Sequence, residues 1–260
     1  MSLPVRQFRV EGFRSLRALS YPMSALDVFV GGNGVGKTNL YRALELLQSA
    51  ASNSLARDLA ADGGLAAASW AGQRRRNQPV ELHFAARFDA TSRHRAKHAA
   101  YEYEVVVGFP RPTAAAFAGE PQIKAETLSF HGGTRPVRLL DRDGPAVMIR
   151  GEDGRPAELQ LDLLSSETVL GRLEDPARYP ELEAIRQTLL QWRFYHDLRT
   201  DAASPLRLPC PAVATPTLAS DGADLAAIFA TLAHIRGDTA ELDAAIDQAF
   251  PGAQIGRAHV

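Results

Sequence analysis

The sequence predicts an α/β fold. A strand, a glycine loop and a helix open it, an antiparallel β region follows, and helices close it. Three observations predict this. Asp27-Val28-Phe29-Val30 is a short apolar run ending in Gly31-Gly32, the pattern of a buried strand entering a tight turn. Leu40, Ala43, Leu44 and Leu47 then fall at i, i+3, i+4 and i+7, one face of a helix. Beyond Val80, strand-like segments recur with Asp143-Gly144 and Asp153-Gly154 between or after them, as in hairpins.

The elements follow in order. Val5 to Val10 reads as a strand, Gly12-Phe13-Arg14-Ser15 as a turn, and Leu16 to Leu26 as a second extended segment. Ser49 to Arg76 is rich in Ala, Gly and Ser and reads as continued helix with loops at Asp62-Gly63-Gly64 and Arg74-Arg75-Arg76. Strands are expected at Val80 to Phe88, Tyr101 to Val107, Ile123 to Phe130, Val137 to Leu140 and Ala146 to Arg150. Pro180 to Gln191 is helical, Ala202 to Pro216 a proline-rich loop, and Ser220-Asp221 caps a helix from Gly222 to His234. A last helix, Thr239 to Phe250, stops at Pro251-Gly252. The expected organisation is 1–76, a nucleotide-binding segment; 77–175, an antiparallel β insertion; 176–254, C-terminal helices; and 255–260, a non-native tail.

Composition narrows the function. The chain has 260 residues, 45% hydrophobic and 23% charged, which is ordinary for a globular protein. Lys plus Arg is 29 against 30 for Asp plus Glu, which excludes a globally basic nucleic-acid binder but not a local basic groove. Cys210 is the one cysteine, so neither a disulfide framework nor a cysteine zinc site can form. No apolar run resembles a signal peptide or a membrane span, and a cytoplasmic location is expected. Only three lysines occur, Lys37, Lys97 and Lys124, so a lysine that remains stands where arginine does not fit.

Gly31-Gly32-Asn33-Gly34-Val35-Gly36-Lys37-Thr38 matches the phosphate-binding (P-loop, or Walker A) pattern G-x-x-x-x-G-K-[ST]. Glycines let the backbone turn its N–H groups inward as an anion nest. The following helix aims its N-terminus at the same place. Lys37 supplies a compact charge for the β- and γ-phosphates and is the expected catalytic residue. Thr38 is the expected Mg²⁺ ligand. The expected ligands are ATP and Mg²⁺, held by Gly31, Gly32, Asn33, Gly34, Val35, Gly36, Lys37, Thr38 and Asn39.

The run G-x-N-G-x-G-K-T-N-L resembles the loop of the RecF, SMC and ABC-type ATPases, and Asn33 with Asn39-Leu40 is RecF-like. Phe8-Arg9-Val10-Glu11-Gly12-Phe13-Arg14-Ser15-Leu16 resembles the first strand of that group. The resemblance implies that Arg14 lies near the nucleotide phosphates; the alternative is a solvated surface arginine. Trp192 to Thr200, Ser204-Pro205-Leu206-Arg207, Leu218 to Ala226 and Phe250-Pro251-Gly252 resemble a narrower bacterial family of RecF-like ATPases with an AAA-type core. This resemblance implies a RecF/ABC-ATPase-like P-loop NTPase fold, ATP hydrolysis by a head-to-tail homodimer, and DNA-linked work such as repair or defence.

Elements that hydrolysis requires are not found. Leu159-Gln160-Leu161-Asp162 and Leu139-Leu140-Asp141 are poor candidates for the acidic Walker B strand, and Ser220-Asp221-Gly222 only superficially resembles the signature motif. The sequence therefore reads as truncated, inactive alone, with an open apolar sheet edge. Ile255 to Val260 can be encoded by an oligonucleotide that looks like a sequencing adapter. The alternative function is a non-hydrolysing nucleotide switch or binding module. Arg74-Arg75-Arg76 and the cluster Arg93, His94, Arg95, Lys97, His98 are either solvated loops or nucleic-acid contacts. The histidines show no metal-ligand spacing, and Gln78 and Gln122 are weak candidates for sensing Mg²⁺.

Overall fold

Leu82, Phe84, Ala86 and Phe88 alternate with Glu81, His83, Ala85 and Arg87 along one segment, and the apolar set is buried. That period of two makes a strand with one dry and one wet face. The computed structural model describes residues 3–73, 79–90, 99–111, 117–151, 154–196, 198–237 and 239–252. The basic runs at 74–76 and 93–98, Gln78, Asp153 and the tail at 255–260 lie outside the described residues.

The chain divides into two compact units, Met1–Trp192 and Arg193–Val260. The first is built on an eight-stranded, wholly antiparallel sheet. Its strands are β1 (Val5–Phe13), β2 (Leu16–Pro22), β3 (Glu81–Asp89), β4 (Ala100–Gly108), β5 (Gln122–His131), β6 (Val137–Asp143), β7 (Ala146–Arg150) and β8 (Pro156–Glu158), in the order β2-β1-β3-β4-β5-β6-β7-β8. The N-terminal hairpin β1–β2 thus pairs directly with β3, in the same sheet as the β region.

Helices α1 (Lys37–Ala51), α2 (Leu55–Ala61), α3 (Gly64–Ala68), α4 (Val169–Arg172) and α5 (Pro180–Leu190) belong to the same unit. The inner face contributes Phe8, Val10, Phe84, Phe88, Tyr103 and Val105 to one core with Ala43, Leu46, Leu47 and Ala50 of α1 and Leu182, Ile185 and Leu189 of α5. The fold is therefore mixed α/β, with helices on one face of an antiparallel sheet. Among the described residues no helix is long and apolar enough to cross a membrane.

The second unit carries a 3₁₀ turn (Pro205–Arg207), α6 (Leu225–Arg236) and α7 (Ala240–Ala249). Ser204 caps the 3₁₀ turn, accepting from the Leu206 N–H. Its buried residues are few and small, among them Ser204, Ala227 and Thr231.

Three expectations are corrected. Asp27–Val30 is irregular rather than a buried strand, and Val28 and Val30 are 75% and 87% exposed. An apolar run becomes a strand only by pairing. Here Asp27 accepts from the Ser24 N–H at 2.8 Å and the Tyr21 hydroxyl at 3.2 Å, which turns the chain away after β2. The second extended segment ends at Pro22, not Leu26, where proline has no N–H for a ladder. The helix expected from Gly222 begins at Leu225. Gly222 has φ 74°, outside the helical region, and Asp221 and Asp224 bond the Ala223 and Ala219 N–H groups in the preceding turn.

The outer face of the sheet is charged. Arg9 reaches Glu104 at 3.0 Å and Glu102 at 3.5 Å, His131 meets Glu102 at 3.2 Å, and His83 meets Glu104 at 3.3 Å. The His83 imidazole is raised above its ordinary 6.5, first by the Glu104 hydrogen bond; burial opposes, and the charges of Glu104, Glu11 and Glu81 add. Glu104 is lowered below its ordinary 4.5, first by the His83 hydrogen bond, with Arg9 assisting. The raised histidine stabilises fully below 6.5 and loses its effect as pH rises through its folded value. The lowered carboxylate stabilises above 4.5 and loses its effect as pH falls. In urea titrations, the stability difference between wild type and His83→Gln is expected to peak between pH 4.5 and 6.5 and shrink on either side.

Candidate functional site

Helix α1 starts without a side-chain cap. Its N-cap is Gly36, with φ 102°, and no side-chain hydrogen bond caps the helix start. The first helical bond is Leu40 N–H to Gly36 O at 3.0 Å, so the amides before it have no partner within the helix. The preceding loop, Gly31 to Val35, is exposed, and Gly34 also has positive φ, 83°. Added Cβ atoms at Gly32 and Gly34 would meet nothing within 4 Å. The loop therefore borders open space that a ligand can enter.

Lys37 closes this loop on itself. Its Nζ donates to Gly31 O at 2.6 Å and Gly32 O at 2.7 Å. The ammonium thus lies along the loop, held by backbone carbonyls rather than by a carboxylate. Thr38 is exposed at the second helical position. Asn33 is exposed in the loop, and Val35 is 63% exposed. Gly31 to Thr38 thus form one contiguous turn around the start of α1.

Two other predicted residues have side-chain partners. The Asn39 amide donates to Ser15 Oγ at 2.8 Å. The Arg14 guanidinium reaches Asp62 at 3.4 Å and lies over the Phe13 ring, 5.3 Å from its centre. Asp62 also accepts from Arg42 Nε at 2.7 Å, and Arg42 pairs with Glu45 at 2.9 Å. The Arg42–Glu45 pair has an i, i+3 spacing on α1, a local signal. Asp62, in a loop, offered no such signal.

The other end of α1 is fixed to the sheet. Thr168 Oγ1 donates to Ala50 O at 2.6 Å, and Thr168 N–H donates to Asn53 Oδ1 at 2.9 Å. Gly171 approaches so closely that an added Cβ would lie 2.7 Å from Asn53 N and 2.8 Å from Ala50 O. This segment is tied in turn to Glu126 on β5, which is fully buried. Its carboxylate accepts from Val169 N–H at 2.6 Å, Leu170 N–H at 2.8 Å and Tyr103 OH at 2.9 Å. Arg142 stands 3.8 Å away and donates to Glu167 O and Gly144 O. Burial pushes the Glu126 carboxyl up and the Arg142 guanidinium down, while the N–H donors and Arg142 work against the shift in Glu126. The sequence analysis missed this group, because an isolated Glu in an alternating strand reads as solvent-facing. Both its oxygens accept from structural donors, so it fastens α4 to the sheet.

The acidic candidates for a second ligand set stay apart. Asp141 lies exposed on β6, and Leu159 to Asp162 is not a strand. Among the described residues no three His, Cys, Asp or Glu side chains are grouped to hold a metal ion.

A family model described as "Protein of unknown function (DUF2813)" matches residues 3–100, the stretch holding the loop, α1 and the two strands beside it. No curated protein matches the chain. The solved structures similar to it include one from work on the structural biochemistry of ATP-driven dimerization and DNA stimulated activation of SMC ATPases. That likeness covers 49% of this chain and 69% of the other, at 17% identity and a TM-score of 0.33.

Removing one member of a buried, hydrogen-bonded charge group leaves its partners uncompensated, at a cost of about 3–5 kcal/mol. Glu126→Ala is expected to lose stability on that scale in urea denaturation.

Proposed function

We propose that the chain binds a nucleoside triphosphate with its Gly31–Thr38 loop, as the nucleotide-binding part of a RecF/SMC-like ATPase. The observation that carries this reading is the uncapped N-terminus of α1 beside a lysine held only by loop carbonyls. A Ser, Thr, Asp or Asn cap would occupy one of the first amides of α1 with its own side-chain oxygen. Here a left-handed glycine takes that position and leaves the amides to an anion. Lys37 would exchange two carbonyl partners for phosphate oxygens, a stronger charge-assisted contact.

The residues fit ATP with Mg²⁺. Gly32 and Gly34 leave space for a phosphate chain, the first amides of α1 would bind its oxygens, and the Thr38 hydroxyl would hold the cation. Bound Mg²⁺ bridges phosphates and offsets their charge. Arg14 stands next to Ser15 at the same site, and its pairing with Asp62 would have to open for it to reach a ligand. Hydrolysis, pairing of two copies around the nucleotide and DNA-linked work belong to this reading through the loop's sequence resemblance.

The test is equilibrium titration with a fluorescent ATP analogue in the presence of Mg²⁺. The wild-type chain is expected to bind saturably, and Lys37→Ala to bind at least tenfold more weakly, the scale of one charged hydrogen-bonding partner. Absence of saturable binding by the wild type, or equal binding by Lys37→Ala, overturns the reading.

A further inference from the structure

We infer that Ser15 is a positioning residue for the phosphate loop, bracing the first turn of α1 through Asn39. The inference rests on the nucleotide-binding reading above, which it extends to a residue outside the loop motif.

The argument begins with the turn that carries Ser15. Phe13 pairs with Leu16 across the β1–β2 hairpin, so Arg14 and Ser15 form its tip. That tip is fixed from several sides. Arg14 N–H donates to Ala68 O at 2.8 Å, Trp70 N–H donates to Gly12 O at 2.7 Å, and Phe13 bridges Ser69. Gly12 itself can carry no side chain, because a Cβ would lie 2.4 Å from Glu81 O on β3. Arg14 adopts φ 45°, which a non-glycine residue holds only where its surroundings impose it. The tip is thus a rigid extension of the sheet.

Ser15 is where this extension meets the loop. Its Oγ accepts from the Asn39 amide at 2.8 Å. The same oxygen lies 2.8 Å from the position a Cβ would take on Gly36. One hydroxyl therefore bonds the third residue of α1 and fills the space that a side chain on the N-cap glycine would take. Two effects follow. The Asn39 bond ties the first turn of α1 to the hairpin tip beside the left-handed Gly36, so the amides of that turn point in a defined direction. It also occupies the Asn39 side chain. A short amide at this position otherwise competes for nearby backbone groups, and the open amides of α1 are the nearest ones. Ser15 holds that competitor away from the anion site.

The test uses Ser15→Ala, Ser15→Thr, Asn39→Ala and the Ser15→Ala/Asn39→Ala double variant of the full chain. In the nucleotide-free protein, Ser15→Ala is expected to speed amide hydrogen exchange at Leu40, whose N–H closes the first turn, with the urea midpoint unchanged. Affinity for the fluorescent ATP analogue is expected to fall about three- to tenfold, the worth of one net hydrogen bond. Ser15→Thr keeps the hydroxyl and is expected to restore both. The double variant is expected to lose no more than either single one, because both remove the same bond.

Wild-type affinity in Ser15→Ala, where Lys37→Ala has lost binding, overturns the inference while leaving the binding reading intact. Fully additive losses in the double variant, or unchanged Leu40 exchange, also overturn it. No binding by the wild type fails the broader reading, and the role in ligand positioning with it.

Discussion

The loop depends on α1 being held at both ends and along its length. Leu46 and Leu47 are completely buried against the inner face of the sheet, and full burial of one such side chain is worth about 1.5–3 kcal/mol. Burial resists lifting of the helix but is weakly directional and permits sliding. Sliding is opposed by the bonds at the ends. Thr168 and Asn53 bond across the C-terminal turn, and Gly171 fits where no side chain could. At the other end Ser15 bonds Asn39. A helix so constrained can present an open N-terminus in one orientation, and the direction of its amides is the property an anion site requires.

The sheet supplies both anchors because of its topology. Consecutive strands from β3 onward are neighbours, and the N-terminal hairpin docks on β3 through β1. This places the β1–β2 tip beside the loop. The bonds to Glu126 similarly place the 167–171 segment against the far end of α1. Burying Glu126 carries a desolvation cost, and the α4 amides, Tyr103 and Arg142 offset it. The hydrogen bonds Glu126 accepts have fixed directions, so the group sets the place of a four-residue helix that could not hold itself.

Much of this was legible in the sequence. Strands β3, β4, β5 and β7 and helix α5 follow from local periodicity and lie within a residue or two of expectation, because their pattern and their burial agree. The loop was read from one motif of unusual composition. Asp27–Val30 misled because an apolar, β-branched run records propensity, whereas strand formation depends on a partner edge. The α6 start misled because Ser220-Asp221 is a cap signal in sequence but Gly222 takes a left-handed conformation. Ser15, Asp62 and Glu126 were illegible for a common reason. Each acts on residues distant in the chain, and no local spacing encodes such a contact.

Several departures from good local design meet around the loop. Arg14 has a positive φ, α1 lacks a side-chain cap, Val28, Val30 and Val35 are exposed, and a lysine bonds only carbonyls. Two of these carry a cost: glycine in place of a side-chain cap costs only a few tenths of a kcal/mol, roughly, and a non-glycine left-handed residue about 1–2 kcal/mol. Single features of these kinds occur elsewhere too: Asn53 has φ 58°, and α2, α3, α5, α6 and α7 also lack a side-chain cap. Around the loop they lie together, next to a helix anchored well enough to tolerate them. A strained hairpin tip and open amides set against a rigid support are the arrangement that the proposed phosphate site needs. The same reasoning separates the loop from the Glu126 group, where burial is deeper but every acceptor is matched and nothing is left to bind.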